Sequence, residues 1–196
     1  LEGDGKVKIN IGSFTTMTPF GWVNLDMQDL GQWAAQHGYK YHRCDARAGL
    51  PYLTQTVDLA FMHHAFEHLT YAEGASLLKD LRRVIKPDGA LRIAVPNAGH
   101  LMNGYLTNLS KYDDMNEGCA KSVTDAGKLH ALLWAGHASV YDSETLLRAL
   151  REAGFRAEQT TFRQAAEDHP GTKQILAEAL EMDYGGSSLV VDAWPK

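Results

Sequence analysis

Short apolar runs alternate with amphipathic stretches along the chain, most clearly between residues 57 and 97. The runs Val57–Met62 and Ala90–Val95 are short, and Pro96 closes the second, so strands are favoured over helices. Between them, apolar residues recur every three or four positions from Tyr71 to Ile85, which predicts an amphipathic helix that ends in a turn at Lys86–Gly89. A strand, a helix and a second strand form a βαβ unit with parallel strands.

Similar patterns on both sides of this unit predict an α/β alternation across the chain. Further strands are predicted at Val7–Ile11, Trp22–Asp26, Tyr39–Arg43, Phe155–Phe162 and Ser188–Trp194. Further helices are predicted at Leu30–His37, Leu101–Leu109, Ala126–Trp134, Ser143–Ala153 and Thr172–Met182. We expect one domain over residues 1–196, with a long excursion at about 99–141 that covers the ligand crevice.

Composition and charge narrow the class of protein. The 196 residues are 44% hydrophobic and 22% charged, which is ordinary for a globular chain, and no apolar run approaches the roughly 20 residues of a membrane span. The net charge of -5 disfavours nucleic acid as a partner and favours a small molecule. Cys44 and Cys119 lack the spacing of a metal site, which suggests a reducing, cytoplasmic setting. No pattern indicates the oligomeric state.

Polar residues and glycine follow the first three predicted strands, where ligands bind in open parallel sheets. The first strand ends in Asn10, Ile11, Gly12 and Ser13, and a glycine lets a ligand approach the backbone closely. Asp26 ends the second strand and could accept hydrogen bonds from ribose hydroxyls, or else cap the helix that follows. Asp45 and Ala46 leave the third strand and could meet a purine, although Asp45 could be a plain turn residue.

At these residues the sequence resembles the class I S-adenosylmethionine-dependent methyltransferases. The matching stretches are Ile9–Ser13, Gly21–Asp26, Cys44–Ala46, Val57–Leu69, Leu81–Gly89 and Leu91–Pro96. The resemblance is closest to small predicted methyltransferases with a Gly-Trp-x-Asn-x-Asp sequence in the first loop. It implies a Rossmann-like, doubly wound, seven-stranded mixed sheet whose last strand is antiparallel, with S-adenosylmethionine as cofactor.

The resemblance also implies roles for individual residues. Gly12 and Ser13 would flank the methionine part, Asp26 would bind the ribose, and Asp45 and Ala46 would meet the adenine. His63 would lie near the methionine amino group. The full set predicted to bind the cofactor is Asn10, Gly12, Ser13, Asp26, Asp45, Ala46 and His63.

Two departures from the family pattern lead to an alternative function. Phe14 and Thr15 stand where further small residues are expected, so Phe14 could crowd the cofactor or stack beside it. The 13 residues between Gly12 and Asp26 leave about ten for the crossover, which predicts a shortened or missing first helix. A binding or scaffold protein on a degenerate methyltransferase fold is therefore the alternative. A nucleotide-dependent oxidoreductase ranks last, because the three-glycine phosphate loop is missing.

The predicted activity is methyl transfer to an oxygen or nitrogen of a small-molecule acceptor. Histidine titrates near neutral pH, so His64, His130 and His137 are the candidate catalytic bases. His64, Glu67 and His68 lie at helical spacing, and His64 and His68 are four residues apart, like a zinc-binding pair. Because no third ligand is evident in the sequence, no metal site is predicted.

Overall fold

The computed structural model describes residues 4–19, 21–107, 136–167, 169–179 and 188–196. The strands are β1 (Lys8–Ile11), β2 (Val23–Asp26), β3 (Lys40–Arg43), β4 (Val57–His63), β5 (Ile85–Pro96), β6 (Phe155–Thr160) and β7 (Ser188–Pro195). The α-helices are α1 (Gly31–Gln36), α2 (Tyr71–Val84), α3 (Ala98–Thr107), α4 (Ser143–Glu152) and α5 (Pro170–Glu178). Two 3-10 turns lie at Ala46–Ala48 and Phe66–His68.

The seven strands form one sheet in the order β3-β2-β1-β4-β5-β7-β6. The first five are parallel, and β7 runs antiparallel to both of its neighbours. This arrangement confirms the predicted doubly wound mixed sheet with an antiparallel last strand. The chain reverses direction across the sheet between β1 and β4, which is where such sheets form their ligand crevice.

Apolar residues cover both faces of the sheet. Ala60 and Met62 of β4 join the large core that α2 and α4 complete, whereas Leu59 and Phe61 join a smaller cluster with Ile175 of α5. Successive side chains of a strand point to opposite faces, so β4 is buried on both sides. This explains why its sequence is a continuous apolar run.

Two buried asparagines hold the crossover from β1 to β2 against the sheet. Asn10 Nδ2 donates to Asn24 Oδ1 at 3.0 Å and to the Thr16 carbonyl at 3.3 Å. Asn24 exchanges hydrogen bonds with the Thr18 backbone in both directions, at 2.8 and 3.0 Å. The described part of this crossover, residues 12–19 with 21 and 22, contains no helix, as the shortened connection predicts.

The boundary between α2 and β5 differs from the prediction. The helix ends at Val84, and residues 85–89 belong to β5 rather than to the helix end and a separate turn. They form an irregularity in the strand, because Val57 pairs with Ile85 and Leu59 pairs with Ala90. Asp58 accounts for it, since its carboxylate accepts from Lys86 Nζ at 2.7 Å and from the Val7 amide at 2.8 Å.

Several other predicted elements shift by a few residues. The helix expected at Leu101–Leu109 runs over Ala98–Thr107, and the helix expected from Thr172 begins at Pro170, after His169 as its cap. β6 ends at Thr160 instead of Phe162. The helix predicted at Ala126–Trp134 lies outside the described residues. No described helix has the length and apolar character needed to cross a membrane.

A fully buried ion pair joins β5 to β7. Arg92 Nη1 donates to both carboxylate oxygens of Asp192, at 3.0 and 3.2 Å, and both side chains are completely shielded from solvent. Arg92 Nη2 also donates to the carbonyls of Thr161 and Gln164, while Asp192 accepts from the Ala166 amide. The pair therefore fixes the connection that follows β6 as well as the two strands.

Removing one partner of this pair leaves an uncompensated buried charge, so we expect Asp192→Ala to lower the free energy of unfolding by about 3–5 kcal/mol. The matched control is Glu152→Ala, which removes an exposed partner 3.9 Å from Arg148 and should cost at most about 1 kcal/mol. Urea unfolding followed by circular dichroism measures both variants. Equal losses in the two variants would contradict the structural role given to the buried pair.

Candidate functional site

A cleft of about 460 Å³ opens at the carboxyl ends of β1, β2 and β4. It lies at the strand-order reversal of the sheet, and its volume falls in the range of small-molecule sites. The lining residues that matter for its chemistry are Gly12, Phe14, Asp26, Ala46, His64 and His68. The structure thus brings together residues from the first, second, third and fourth strand ends.

Gly12 forms part of the cleft wall directly after β1. Its φ is +69°, in the left-handed region that side chains disfavour, and its amide donates to the Leu25 carbonyl at 2.8 Å. A Cβ at this position would also overlap the Cβ of Ala65. The glycine therefore permits both the turn and the close packing of the segments after β1 and β4.

Asp26 ends β2 with its carboxylate at the cleft and only 8% of the residue exposed. Oδ2 accepts from the Phe14 amide at 2.8 Å, and Oδ1 accepts from the Gln28 amide at 2.9 Å. Each carboxylate oxygen can accept a further hydrogen bond, so capacity remains for two hydroxyl donors. Asp26 does not cap α1, whose N-cap is Leu30 without a side-chain hydrogen bond.

Asp45 has a partner in its own 3-10 turn. Its carboxylate accepts from Arg47 Nε at 2.8 Å, from Arg47 Nη2 at 2.7 Å and from the Arg47 amide at 3.0 Å. These hydrogen bonds to Arg47 lower the pKa of Asp45. Asp45 thus acts as a turn residue in the structure, and a purine amine would have to share its carboxylate with Arg47. Ala46 lines the cleft beside it.

The Phe14 ring lines the cleft and does not fill it. Its amide is held by Asp26, its φ is +41°, and half of the residue (51%) is exposed. The volume of the cleft exists with the ring in this position. Phe14 is therefore placed to stack against a ligand without closing the site.

Three of the residues predicted to bind the cofactor do not line the cleft. Asn10 is buried against Asn24 under the β1–β2 crossover, and Ser13 is buried with its hydroxyl near the Phe14 carbonyl. His63 packs against Phe61 and Phe162 with ring centroids 6.0 Å apart in each case. Alternation along β4 places Met62 at the cleft and His63 on the opposite face.

Glu67 and three histidines form a polar cluster beside the cleft. Glu67 Oε1 lies 3.6 Å from His64 Nδ1 and 4.0 Å from His137 Nε2, and His68 adjoins it in the same 3-10 turn. Among the described residues, neither carboxylate oxygen of Glu67 has a hydrogen-bond partner. Sequence reasoning did not select Glu67 as a site residue, although its position among His63, His64 and His68 was a signal.

Burial controls protonation in this cluster. It raises the pKa of the Glu67 carboxyl to about 8, so this group is mainly protonated at neutral pH. Burial, and then the neighbouring His63, His137 and His68, lower the pKa of His64 to about 3. His64 is consequently a neutral imidazole, with Nε2 2.8 Å from the Ser188 hydroxyl.

His137 reaches the cluster from the segment that ends the excursion. The amides of Ala138 and Ser139 both donate to the Glu67 carbonyl, at 2.9 and 3.1 Å, and the Ser139 hydroxyl donates to the Leu69 carbonyl. This docking brings His137 close to Glu67 across a sequence separation that no local pattern spans. His130 lies outside the described residues, and so does the rest of the excursion from residue 108 to residue 135.

The seven-stranded sheet has a Rossmann-like fold, and its cleft lies where the strand order reverses. Residues 23–93 match the protein family described as methyltransferase domain. No curated protein sequence matches the chain. The family match confirms the resemblance to class I S-adenosylmethionine-dependent methyltransferases and supports S-adenosylmethionine as the cofactor.

Solved structures of methyltransferases share the fold at low sequence identity. An S-adenosylmethionine-dependent methyltransferase from Archaeoglobus fulgidus aligns over 96% of this chain and 86% of its own, with 15% identity and a TM-score of 0.60. One from Mesorhizobium loti aligns over 98% and 92%, with 17% identity and a TM-score of 0.55. The complex of the Haloferax volcanii Trm112 methyltransferase activator with a protein assigned as a methyltransferase aligns over 98% and 84%, with 16% identity and a TM-score of 0.59.

The raised pKa of Glu67 predicts a characteristic dependence of stability on pH. Between its ordinary pKa of 4.5 and about 8, the unfolded chain has released this proton and the folded chain retains it. Stability should therefore fall as pH rises through this window, by up to about 1.4 kcal/mol per pH unit from this group. Glu67→Gln removes the effect, so its stability relative to the wild type should increase from pH 5 to pH 8 in urea unfolding with a chelator present.

The control for this measurement is Glu73→Gln. Glu73 is exposed, and hydrogen bonds to Thr70 lower its pKa, so this variant should lose stability relative to the wild type above the ordinary pKa of glutamate. Between pH 5 and pH 8, the stability of Glu67→Gln relative to the wild type should therefore rise, whereas that of Glu73→Gln should stay below the wild type by a nearly constant amount. A Glu67→Gln curve parallel to that of the wild type would show that Glu67 titrates alike in the folded and unfolded chains.

Proposed function

We propose that the protein transfers the methyl group of S-adenosylmethionine to an oxygen or nitrogen of a small-molecule acceptor. The observation that carries this proposal is the carboxylate of Asp26 at the cleft, with one acceptor site left on each oxygen. Two vicinal ribose hydroxyls match that capacity. The family match over residues 23–93 supports the same conclusion.

The residues of the cleft fit the cofactor in three places. Asp26 would hold the ribose, the Gly12 backbone would border the methionine part, and the backbone at Ala46 would meet the adenine. When bound, the cofactor supplies an electrophilic methyl group on a positively charged sulfur. The role of the protein is then to align the acceptor and to exclude water from the cleft.

A hydroxyl acceptor must lose a proton, and the cluster beside the cleft offers two different histidines for this task. With a pKa of about 3, His64 accepts a proton poorly at neutral pH, so we assign it hydrogen bonding to the acceptor. When no metal ion occupies its Nε2, His137 is the better candidate base, because this atom lies 4.0 Å from the Glu67 carboxyl. An amine acceptor needs less assistance from a base.

The acceptor is proposed to be a small molecule on the basis of the cleft volume and the net charge of -5. A structural neighbour contains the Trm112 activator, so a protein partner is also compatible with this fold. The cytoplasmic setting inferred from the two cysteines stays a prediction.

One observation favours the alternative of a non-catalytic binding or scaffold protein. Arg47 occupies the carboxylate of Asp45, which removes one expected contact to the adenine unless the ligand displaces that ion pair. A degenerate site should not bind the cofactor product. This alternative therefore predicts no binding of S-adenosylhomocysteine to the wild type or to Phe14→Ala, in which the ring at the cleft wall is removed.

Asp26→Ala should weaken the binding of S-adenosylhomocysteine at least tenfold in isothermal titration calorimetry. Hydrogen bonds to a charged carboxylate contribute about 1.5–3 kcal/mol each, and about 1.4 kcal/mol corresponds to a factor of ten. Because Asp26 also holds two backbone amides, the thermal unfolding of the variant should be recorded beside its affinity.

The matched control is Asp58→Ala. Asp58 also accepts a backbone amide from a neighbouring segment, but it lies near the amino end of β4, away from the cleft. Its loss should affect stability and leave the affinity for S-adenosylhomocysteine unchanged. Equal affinities of the wild type and a folded Asp26→Ala variant would rule out the ribose assignment.

A further inference from the structure

We propose that Glu67, His68 and His137 form a binding site for a divalent transition metal of the zinc type at the rim of the cleft. One ligand atom from each of the three side chains lies within 4.8 Å of the other two. Two imidazoles and one carboxylate are a donor set that Zn²⁺ and similar ions accept. Sequence spacing paired His68 with His64, whereas the structure groups it with Glu67 and with His137 from a distant segment.

The separations are close to those of a metal site. Ligands about 2.0–2.2 Å from a tetrahedral ion lie roughly 3.4 Å from one another. His137 Nε2 and Glu67 Oε1 are 4.0 Å apart, so a shift of well under 1 Å in the two side chains brings them to that spacing. All three ligand atoms lie within 4.8 Å of one another, so binding would draw any pair together by about 1.4 Å at most.

The environment of the buried Glu67 carboxyl is a second, independent observation in favour of a metal ion. The side chain is 2% exposed, and among the described residues neither of its oxygens has a hydrogen-bond partner. A carboxyl group buried in this way is costly, and such groups in native proteins commonly face an ion or a polar ligand. A divalent cation would compensate the buried carboxylate, which a hydrocarbon environment cannot do.

The hydrogen bond of His68 orients this residue as metal-binding histidines are oriented. His68 Nδ1 lies 3.1 Å from the Gly136 carbonyl. A carbonyl oxygen only accepts, so Nδ1 carries the proton and Nε2 of the neutral ring carries the lone pair. A backbone carbonyl on the second ring nitrogen is a common way to fix the tautomer of a ligating histidine.

The position of the site links it to the cleft and to the excursion. His68 lines the cleft, and His137 belongs to the segment whose amides donate to the Glu67 carbonyl. A bound ion would cross-link the end of the excursion to the 3-10 turn after β4. Three protein ligands leave a further coordination position, which is typical of zinc sites that exchange a water or a substrate oxygen.

The test uses the purified full chain after treatment with a chelator and dialysis. Titration with Co²⁺, followed by its visible absorption, and calorimetry with Zn²⁺ should each give one ion per chain. Zn²⁺ should also raise the Tm of the wild type, because a ligand of the folded state stabilises it by mass action. None of these three measurements depends on methyl transfer, so the result is independent of the proposed activity.

Two variants and one control locate the ion. His137→Ala and the nearly isosteric Glu67→Gln should each weaken Zn²⁺ binding by at least about tenfold, and both should lose the rise in Tm. His42→Ala removes an exposed histidine of β3 and should bind as the wild type does. Absence of stoichiometric binding to the wild type, or equal affinities of Glu67→Gln and His42→Ala, would overturn the proposal.

Discussion

The contact between the segments after β1 and β4 is the constraint on which the cleft depends. Gly12 has a left-handed backbone and packs against Ala65, so no side chain fits at residue 12. The neighbouring strands are parallel and in register from Lys8 to Ile11, which brings their carboxyl ends to one edge. Because the strand order reverses here, the edge opens into a crevice, and Asp26 faces it from β2. The proposed chemistry follows from this placement.

Much of the fold was predictable because local periodicity decides it. The leucine pattern of α2 and the apolar run of β4 reflect burial of one helix face and of both faces of a central strand. The start of β5 was not predictable from local signals. Lys86–Gly89 resembles a turn, but Asp58 binds Lys86 from the neighbouring strand, and Gly89 has no room for a Cβ, which would lie 2.8 Å from the Asp58 carbonyl.

The site was predictable where it depends on strand ends and not where it depends on tertiary contacts. Gly12, Asp26 and Ala46 follow their strands and do line the cleft. His63 was placed by motif position, although the alternation of β4 puts it on the other face. The association of Glu67 with His137 spans the whole excursion and has no local signal in the sequence. Burial of that carboxyl then produces the shifted pKa values, which sequence alone does not give.

The cleft and the Glu67 cluster meet at His64 and His68, which belong to both. This arrangement would place the proposed cofactor beside the groups that are proposed to accept a proton or to bind an ion. The most direct test of the account is a crystal structure of the protein with S-adenosylhomocysteine. The account predicts the ribose hydroxyls within hydrogen-bond distance of Asp26, with the adenine beside Ala46. Ligand bound elsewhere, or an empty cleft at saturating concentration, would contradict it.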